Sequence, residues 1–130
     1  TYGFVYKITH TPSGKSYLGK KVLIHNKKTK LTKKDLLMYE GVQGRKPTYK
    51  IVQKDSSWKS YYGSNKALME LVQTESLENF KREILILCTT KKLLTYYETQ
   101  ALFTYRVLEK DNIWFNDNIL GKFFRKDFDI

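Results

Sequence analysis

The chain has 130 residues, which is room for one domain with a core of ordinary size but not for a second independent domain. Its formal net charge is +11 with a pI near 9.6, and it has no run of eighteen apolar residues, which excludes a membrane-spanning helix and favours a protein that binds a polyanion. The single cysteine, Cys88, excludes an internal disulfide and a zinc site built on cysteine pairs, and its apolar neighbours predict a buried packing residue.

The positive charge is concentrated in the first half of the chain. Residues 1–66 contain fifteen lysines and arginines against three acids, whereas residues 67–130 contain nine against ten acids. From Lys20 to Lys34 there are seven lysines and no acidic residue, which is the composition of an arm that contacts phosphates. A solvated surface loop is the alternative, although such loops usually mix charges of both signs.

The first predicted elements are two strands joined by a turn. β-Branched and aromatic residues predict strands over Gly3–Thr9 and Lys15–Leu23, and Pro12-Ser13-Gly14 supplies the turn chemistry between them. The resulting hairpin brings the phenols of Tyr6 and Tyr17 close together. Two neighbouring phenols among lysines indicate acid–base chemistry on a phosphate.

The stretch Ile24–Ser57 follows the hairpin, and no hydrophobic periodicity extends over more than a short part of it. Thr32 is placed to begin a short helix over Leu31–Tyr39, but two glycines and Pro47 break whatever comes after it. We therefore interpret residues 24–57 as a basic insertion or mobile loop.

Aromatic residues come directly after this insertion. Trp58, Tyr61 and Tyr62 would either stack on nucleic acid or pack in the core, and we expect Trp58 in the core because a small sheet needs large side chains to cover its face. The segment Tyr61-Tyr62-Gly63-Ser64 is similar to Tyr17-Leu18-Gly19. No strand with a matching spacing and turn precedes it, so we take this similarity as a coincidence.

Two helices and a third strand complete the predicted order. Ser64 is placed to cap a helix over Asn65–Gln73, and Asn79–Cys88 predicts a strand whose apolar end is buried on both sides. The Thr89-Thr90 pair precedes a long helix from Lys91 to about Leu108. This order predicts an α+β fold with a small, three-stranded, mainly antiparallel sheet flanked by helices.

Glu98 is predicted to lie on the inward face of the long helix. It follows steps of three and four residues with Leu94, Ala101, Leu102 and Tyr105, so an apolar stripe contains a carboxylate. A buried carboxylate is costly unless a cation or a hydrogen-bond donor meets it. A metal ion and a lysine partner without metal are the two alternatives.

These residues resemble the GIY-YIG nucleases, a family named after two short strand motifs that are separated by about this interval. Phe4-Val5-Tyr6 is similar to the first motif and Tyr17-Leu18-Gly19 to the second, and the tyrosines and the second glycine are kept. The resemblance extends from Gly3 to Gly121. It implies one GIY-YIG-like domain over 1–130, with the insertion at 24–57 placed after the second strand.

The resemblance implies a metal-dependent endodeoxyribonuclease that hydrolyses phosphodiester bonds and leaves a 5′-phosphate and a 3′-hydroxyl. Glu98 matches the metal-binding glutamate of the family, where Mg²⁺ or Mn²⁺ would also take water and substrate phosphate as ligands. Tyr17 would accept the proton of the attacking water, directly or through Tyr6. Lys21 shares its face of the strand and would lower the phenol pKa or stabilise the transition state. Framework tyrosines of two strands are the alternative.

Three further residues are candidates for catalysis. Asn116, in Trp114-Phe115-Asn116-Asp117-Asn118, resembles an asparagine in the closing segment of the family, with Asn118 as the second choice and ordinary turn chemistry as the alternative. Family members usually carry an arginine soon after the second motif, and here Arg45 is the first one available. His25 is a candidate proton carrier or phosphate ligand. The predicted DNA contacts are Lys20, Lys27, Lys28, Lys30, Lys33, Lys34, Arg45 and Lys46.

Two classes of function stay open. The first is the DNA endonuclease, from a phage homing-type or restriction-type system, with DNA as its partner and no membrane. The lone thiol and the missing signal-peptide pattern favour a cytoplasmic protein, inside the host cell if a phage encodes it. The second is a non-catalytic, basic nucleic-acid-binding module, which would not require a buried carboxylate on the helix.

Overall fold

A computed structural model of the protein describes residues 1–37, 41, 44, 49–109 and 113–128. The chain divides into two compact units. The first consists of Thr1–Leu23 and the residues from Ser57 onward, and the second is Ile24–Ser56. Within the described residues, every helix is too short or too polar to cross a membrane.

The elements follow one another in chain order as β1 (Gly3–His10), β2 (Lys15–Val22), β3 (Ile24–Lys30), α1 (Lys33–Leu37), β4 (Tyr49–Asp55), α2 (Lys66–Thr74), β5 (Phe80–Cys88), α3 (Lys91–Thr104), β6 (Asn118–Ile119) and β7 (Phe123–Phe124).

The first unit is built on an antiparallel sheet in the order β2-β1-β5, which confirms the predicted α+β fold. The central strand β1 sets Tyr6 opposite Gly19 on one side and opposite Ile84 on the other. Because β1 takes the centre, β5 lies at an edge. The expectation that the apolar end of β5 is buried on both sides was therefore wrong, and Ile84 and Leu87 are exposed.

A helix covers each face of this sheet. On one face Val5 and Leu18 pack against α3, and on the other Ile8 packs against Leu68 of α2. Full burial of each such side chain stabilises the fold by roughly 1.5–3 kcal/mol. Cys88 belongs to the α3 face and is a buried free thiol, as predicted.

The two long helices begin at polar caps. Asn65, and not Ser64, caps α2, because its Oδ1 accepts a hydrogen bond from the Leu68 N–H at 3.1 Å. Thr90 caps α3 in the same way, and its Oγ1 accepts from the Leu93 N–H at 3.1 Å. The start of each helix is thus fixed by one hydrogen bond from its own first turn.

The long helix is shorter than predicted. It ends at Thr104 rather than near Leu108, because Arg106 takes a positive φ of 53°, which a right-handed helix does not allow. Tyr105, predicted on the inward stripe, is the C-terminal cap and is 41% exposed. The inward stripe therefore ends at Leu102.

The second unit contains strands where the sequence predicted a loop. β3 and β4 pair antiparallel over seven residues each, with Ile24 opposite Asp55 and Lys30 opposite Tyr49. Period-two alternation was not recognised because β3 consists mostly of polar residues and offers few apolar positions.

The short helix α1 follows Thr32, as predicted. The Thr32 Oγ1 accepts a hydrogen bond from the Asp35 N–H at 3.2 Å, and the Asp35 Oδ2 accepts from the Thr32 N–H at 2.9 Å. Lys50 joins β4 to this helix through an ion pair of 2.7 Å with Asp35. The predicted end of the helix at Tyr39 lies outside the described residues.

A buried histidine ties the β1–β2 turn to the end of α2. The Nε2 of His10 lies 2.9 Å from Glu75 Oε1, and its Nδ1 lies 2.7 Å from Ser13 Oγ. The hydrogen bonds from His10 and then from Asn79 lower the pKa of Glu75 below its ordinary value of 4.5. This carboxylate therefore links two elements that are distant in sequence.

We expect the Tm to fall as the pH is lowered from about 5 to about 3. A carboxyl group with a lowered folded-state pKa stabilises the protein above its unfolded-state pKa, and this contribution is lost as the pH falls through the folded-state value. Thermal unfolding across this range should show a smaller fall for Glu75→Gln than for the wild type. Glu70→Gln, an exposed change on the same helix, should keep the full fall; equal falls for wild type and Glu75→Gln would contradict the assignment.

Candidate active site

The hairpin places the two motif tyrosines side by side. The ring centroids of Tyr6 and Tyr17 are 6.2 Å apart, and Tyr6 is 4% exposed. A Cβ on Gly19 would lie 2.7 Å from the Tyr6 Oη and 3.0 Å from the Tyr17 Cε1. The glycine of the second motif therefore leaves the space that both phenols occupy.

A third phenol, that of Tyr61, joins this pair. Its ring meets the Tyr6 ring edge-on, with centroids 6.0 Å apart, and the Lys21 Nζ lies 4.1 Å from the centroid of the Tyr61 ring. Arg82 holds the backbone here, because its guanidinium donates to the carbonyls of Trp58 at 3.3 Å and Tyr61 at 3.0 Å. Trp58, which was expected in the core, is partly buried and packs edge-on against Phe4 at the border of the core.

The residues after Tyr61 bring the chain against Tyr17. Gly63 has a φ of +94°, and a Cβ there would lie 3.3 Å from the Tyr17 Cδ1. The Ser64 Oγ is 3.3 Å from the Tyr17 Oη. Sequence reasoning set Tyr61-Tyr62-Gly63-Ser64 aside as a coincidence. Its similarity to the second motif was the signal that could have placed it at the site.

Asn116 secures the outer edge of β2. Its side chain is buried, with its Oδ1 accepting from the Leu18 N–H at 3.0 Å and its Nδ2 donating to the Leu18 carbonyl at 2.8 Å. Two residues earlier on β2, the Ser16 carbonyl accepts from the Phe115 N–H at 2.7 Å. The Asn116 amide thus makes the two hydrogen bonds to the Leu18 backbone that a neighbouring strand would make. Its predicted contact with phosphate stays a prediction.

Glu98 reaches the same edge from α3. Its side chain is 18% exposed, and the Lys20 Nζ lies 3.9 Å from its Oε1, which is longer than a hydrogen bond. Burial raises the pKa of Glu98, and the charge of Lys20 offsets part of that rise. A lysine partner is therefore present, as one alternative predicted, but it compensates the carboxylate only in part.

Tyr17 and Glu98 both line one polar cleft of about 490 Å³ at the outer edge of β2. Tyr17 enters it from the face of the sheet that carries Tyr6, whereas Glu98 enters from the face that α3 covers. Other polar side chains complete its lining: Ser64, Asn65, Lys66, Asn116, Asp117 and Asn118. The hairpin phenol and the helix carboxylate thus meet in one place.

Burial affects the two motif phenols to different extents. For Tyr6, loss of solvation and then the neighbouring phenols of Tyr61 and Tyr17 raise the pKa far above 10. Burial also raises the pKa of Tyr17, but its hydrogen bond with the Ser64 hydroxyl acts in the opposite direction. Tyr17 therefore has a partner that favours its anion.

The remaining predicted site residues lie in or near the second unit. Two of them are outside the described part of the chain: Arg45 and Lys46. For three others in β3, the structure describes the backbone: His25, Lys27 and Lys28. Three predicted DNA contacts are exposed: Lys30, Lys33 and Lys34. The roles assigned to all of these residues stay predictions.

The cleft fits a hard divalent cation that takes few of its ligands from the protein. Within the described residues, no group of three or more His, Cys, Asp and Glu side chains could hold a metal ion. Glu98 is only partly compensated, and Asp117 and Asn118 line the same cleft with further oxygens. Mg²⁺ and Mn²⁺ accept such a set when water and phosphate supply the other ligands.

An α+β domain with clustered phenols, lysines and one partly buried carboxylate at a sheet edge has the parts of a nuclease site. A family model described as "Putative endonuclease segE, GIY-YIG domain" matches residues 1–119, which include the hairpin, α3 and Asn116. The chain therefore belongs to the GIY-YIG endonuclease family. No curated protein and no solved structure gives a significant match.

Replacing Gly19 by Ala tests the packing of the phenols. We expect Gly19→Ala to lower nuclease activity by about 10²-fold, because the new Cβ must displace Tyr6 or Tyr17. Urea unfolding should show a loss of about 1–3 kcal/mol from the overpacking.

Gly14→Ala is the matched control for this change. Gly14 also lies in the hairpin, and its φ of +74° makes alanine strained, but a Cβ there meets no atom within 4 Å. The control should therefore lose stability without a specific loss of nicking, measured on plasmid DNA. Wild-type nicking by Gly19→Ala would show that the phenols do not need this space.

Proposed function

We propose that the protein is a divalent-metal-dependent DNA endonuclease that leaves a 5′-phosphate and a 3′-hydroxyl. The observation that carries this proposal is the meeting of Tyr17 and Glu98 in one polar cleft, although they come from opposite faces of the sheet. Membership of the GIY-YIG family and the net charge of +11 support DNA as the substrate.

Tyr17 is the group that accepts the proton of the attacking water. Its phenol is partly exposed in the cleft and has the Ser64 hydroxyl as a hydrogen-bond partner, which favours the phenolate. Tyr6 is almost fully buried and keeps its proton, so its part is to pack beside Tyr17 and orient it. The two phenols thus have different roles although they belong to equivalent motifs.

The lysines of β2 supply positive charge to the reaction. Lys21 is held over the Tyr61 ring, next to the phenols, and Lys20 is held close to Glu98. Their charges lower the cost of a phenolate and of the negative charge that develops on the phosphorus oxygens. They would thereby take the part of the arginine that family members usually carry.

Glu98 would hold the cation, with Asp117 and Asn118 as further oxygen donors of the cleft. When bound, Mg²⁺ or Mn²⁺ would stabilise negative charge on the departing 3′ oxygen. Asn116 acts through the backbone of Leu18, which it keeps in place beside Tyr17.

The second unit would contact the DNA backbone through its lysines. Its formal charge is positive, because nine lysines and arginines stand against three acids between Ile24 and Ser56. We assign His25 and Arg45 here to phosphate contacts, together with the predicted lysines of residues 27–46. We also place the enzyme in the cytoplasm, in the host cell if a phage homing or restriction system encodes it.

Glu98→Gln separates the endonuclease from a non-catalytic binding module. We expect it to reduce Mg²⁺-dependent plasmid nicking by more than about 10²-fold, because the amide cannot replace the anionic ligand. Its affinity for duplex DNA should stay within about twofold of the wild type, since Glu98 repels phosphate rather than binding it.

Glu78→Gln, an exposed change in the same unit, should nick DNA at the wild-type rate. Wild-type protein that binds DNA but shows no nicking with either Mg²⁺ or Mn²⁺ would identify the binding module instead.

The pH dependence of nicking tests Tyr17 as the base. Because burial raises the pKa of Tyr17, only a small fraction is phenolate at neutral pH, and the rate should rise about tenfold per pH unit between about pH 6 and 9. Tyr17→Phe should lower the rate by about 10²–10⁴-fold and abolish this slope. The control Tyr62→Phe should keep both rate and slope. An unchanged pH slope in Tyr17→Phe would assign the base to another group.

A further inference from the structure

A second cleft in the first unit, of about 240 Å³, contains three lysines and is called here the lysine cleft. Lys20 and Lys21 contribute from the end of β2, and Lys91 contributes from the first turn of α3. Tyr61 and Thr95 also line the lysine cleft. Because Lys20 also approaches Glu98 in the catalytic cleft, the two clefts are neighbours.

Two of the three ammonium groups of the lysine cleft have neutral partners. Lys21 lies over the Tyr61 ring at 4.1 Å, and Lys20 donates a hydrogen bond to the Thr95 Oγ1 at 3.1 Å. A ring and a hydroxyl orient an ammonium without cancelling its charge. Within the described part of the chain, these lysines form one ion pair, which is the 3.9 Å contact of Lys20 with Glu98. The cleft therefore keeps a net positive charge.

The placement of Lys91 costs stability. It occupies the first position after the Thr90 cap, where the partial positive charge of a helix N-terminus disfavours a cation. It also lines the same small cleft as two further lysines, and like charges that share a cleft repel. An anion with several oxygens would remove both penalties at once, because ammonium groups and phosphate oxygens form charge-assisted hydrogen bonds.

We propose that the lysine cleft binds a backbone phosphate of the DNA strand beside the scissile phosphate. This contact would fix the position of the strand along the edge of β2, so that the scissile bond faces Tyr17 and Glu98. The three lysines act together in this contact, since each ammonium is a point charge that needs its neighbours to define a direction. The proposal rests on the endonuclease function, of which it names a subsite.

The first test compares Lys91→Met with Lys92→Met in DNA binding. Lys92 is the next residue of α3 and is exposed, but it does not line the cleft. With a duplex oligonucleotide and without divalent metal, Lys91→Met should weaken binding about three- to tenfold near 0.1 M salt, for every sequence alike. It should reduce the slope of log K against log salt by about 0.9, the value for one phosphate contact.

Lys92→Met should leave the affinity and the slope at the wild-type values. The Tm of Lys91→Met should equal or exceed that of the wild type, because a repelled charge has been removed, and this shows that the variant is folded. Equal effects of the two substitutions would overturn the proposal, because they would indicate a diffuse positive surface rather than a cleft.

The second test distinguishes a DNA phosphate from a free anion. Neutral methylphosphonates are placed one at a time along the strand, and one position should weaken wild-type binding but cause no additional loss in Lys91→Met. Inorganic phosphate serves as the competing probe. If it binds in a Lys91-dependent way and no methylphosphonate position depends on Lys91, the cleft takes a free anion and the proposal is wrong.

Both tests use binding alone. A failure of cleavage in the Glu98 experiment would therefore leave them interpretable, and a failure here would leave the catalytic assignment standing.

Discussion

The space above Gly19 is the constraint on which the rest of the site depends. Without a Cβ at this position, the Tyr6 phenol lies over β2 and beside Tyr17, with no room for even one added carbon. Tyr61 and Ser64 then pack around the pair, and Arg82 fixes the backbone that carries them. Three phenols thus lie together on one small sheet. The domain tolerates them because each ring also supplies apolar contact area to the core.

Placing these phenols and the Glu98 carboxylate together costs stability, and the proposed catalytic function explains why the protein keeps them. The Tyr6 phenol and the Glu98 carboxylate lose solvation, and Lys20 compensates the carboxylate only in part. A purely structural site would replace such groups by apolar residues or pair them fully. Charged side chains without full partners are expected in a site where a bound cation and a substrate phosphate become their partners. Active sites commonly contain such unfavourable groups, and the remaining fold must offset their cost in stability.

The sequence predicted those parts of the fold that local chemistry determines. Alternation and turn residues were sufficient for the hairpin, and helical spacing was sufficient to turn Glu98 inward. The contacts of Tyr61 and Ser64 with the hairpin were missed because they join residues that are 40 or more positions apart, and no local pattern reports such a meeting. The strands of the second unit were missed for a different reason, since lysines replace the apolar half of the alternation.

The position of β2 at the edge of the sheet explains why the Tyr17 phenol and the Glu98 carboxylate can share a cleft. Tyr17 and Glu98 lie on opposite faces, and a further strand beyond β2 would separate them with a layer of backbone. Asn116 takes the hydrogen bonds of Leu18 that such a strand would use, and it does so with one side chain that leaves the cleft open. An amide at this position therefore protects the exposed edge from pairing with another chain and keeps it accessible to a substrate. The order of the strands and the identity of the edge residue together keep the cleft open at this edge of the sheet.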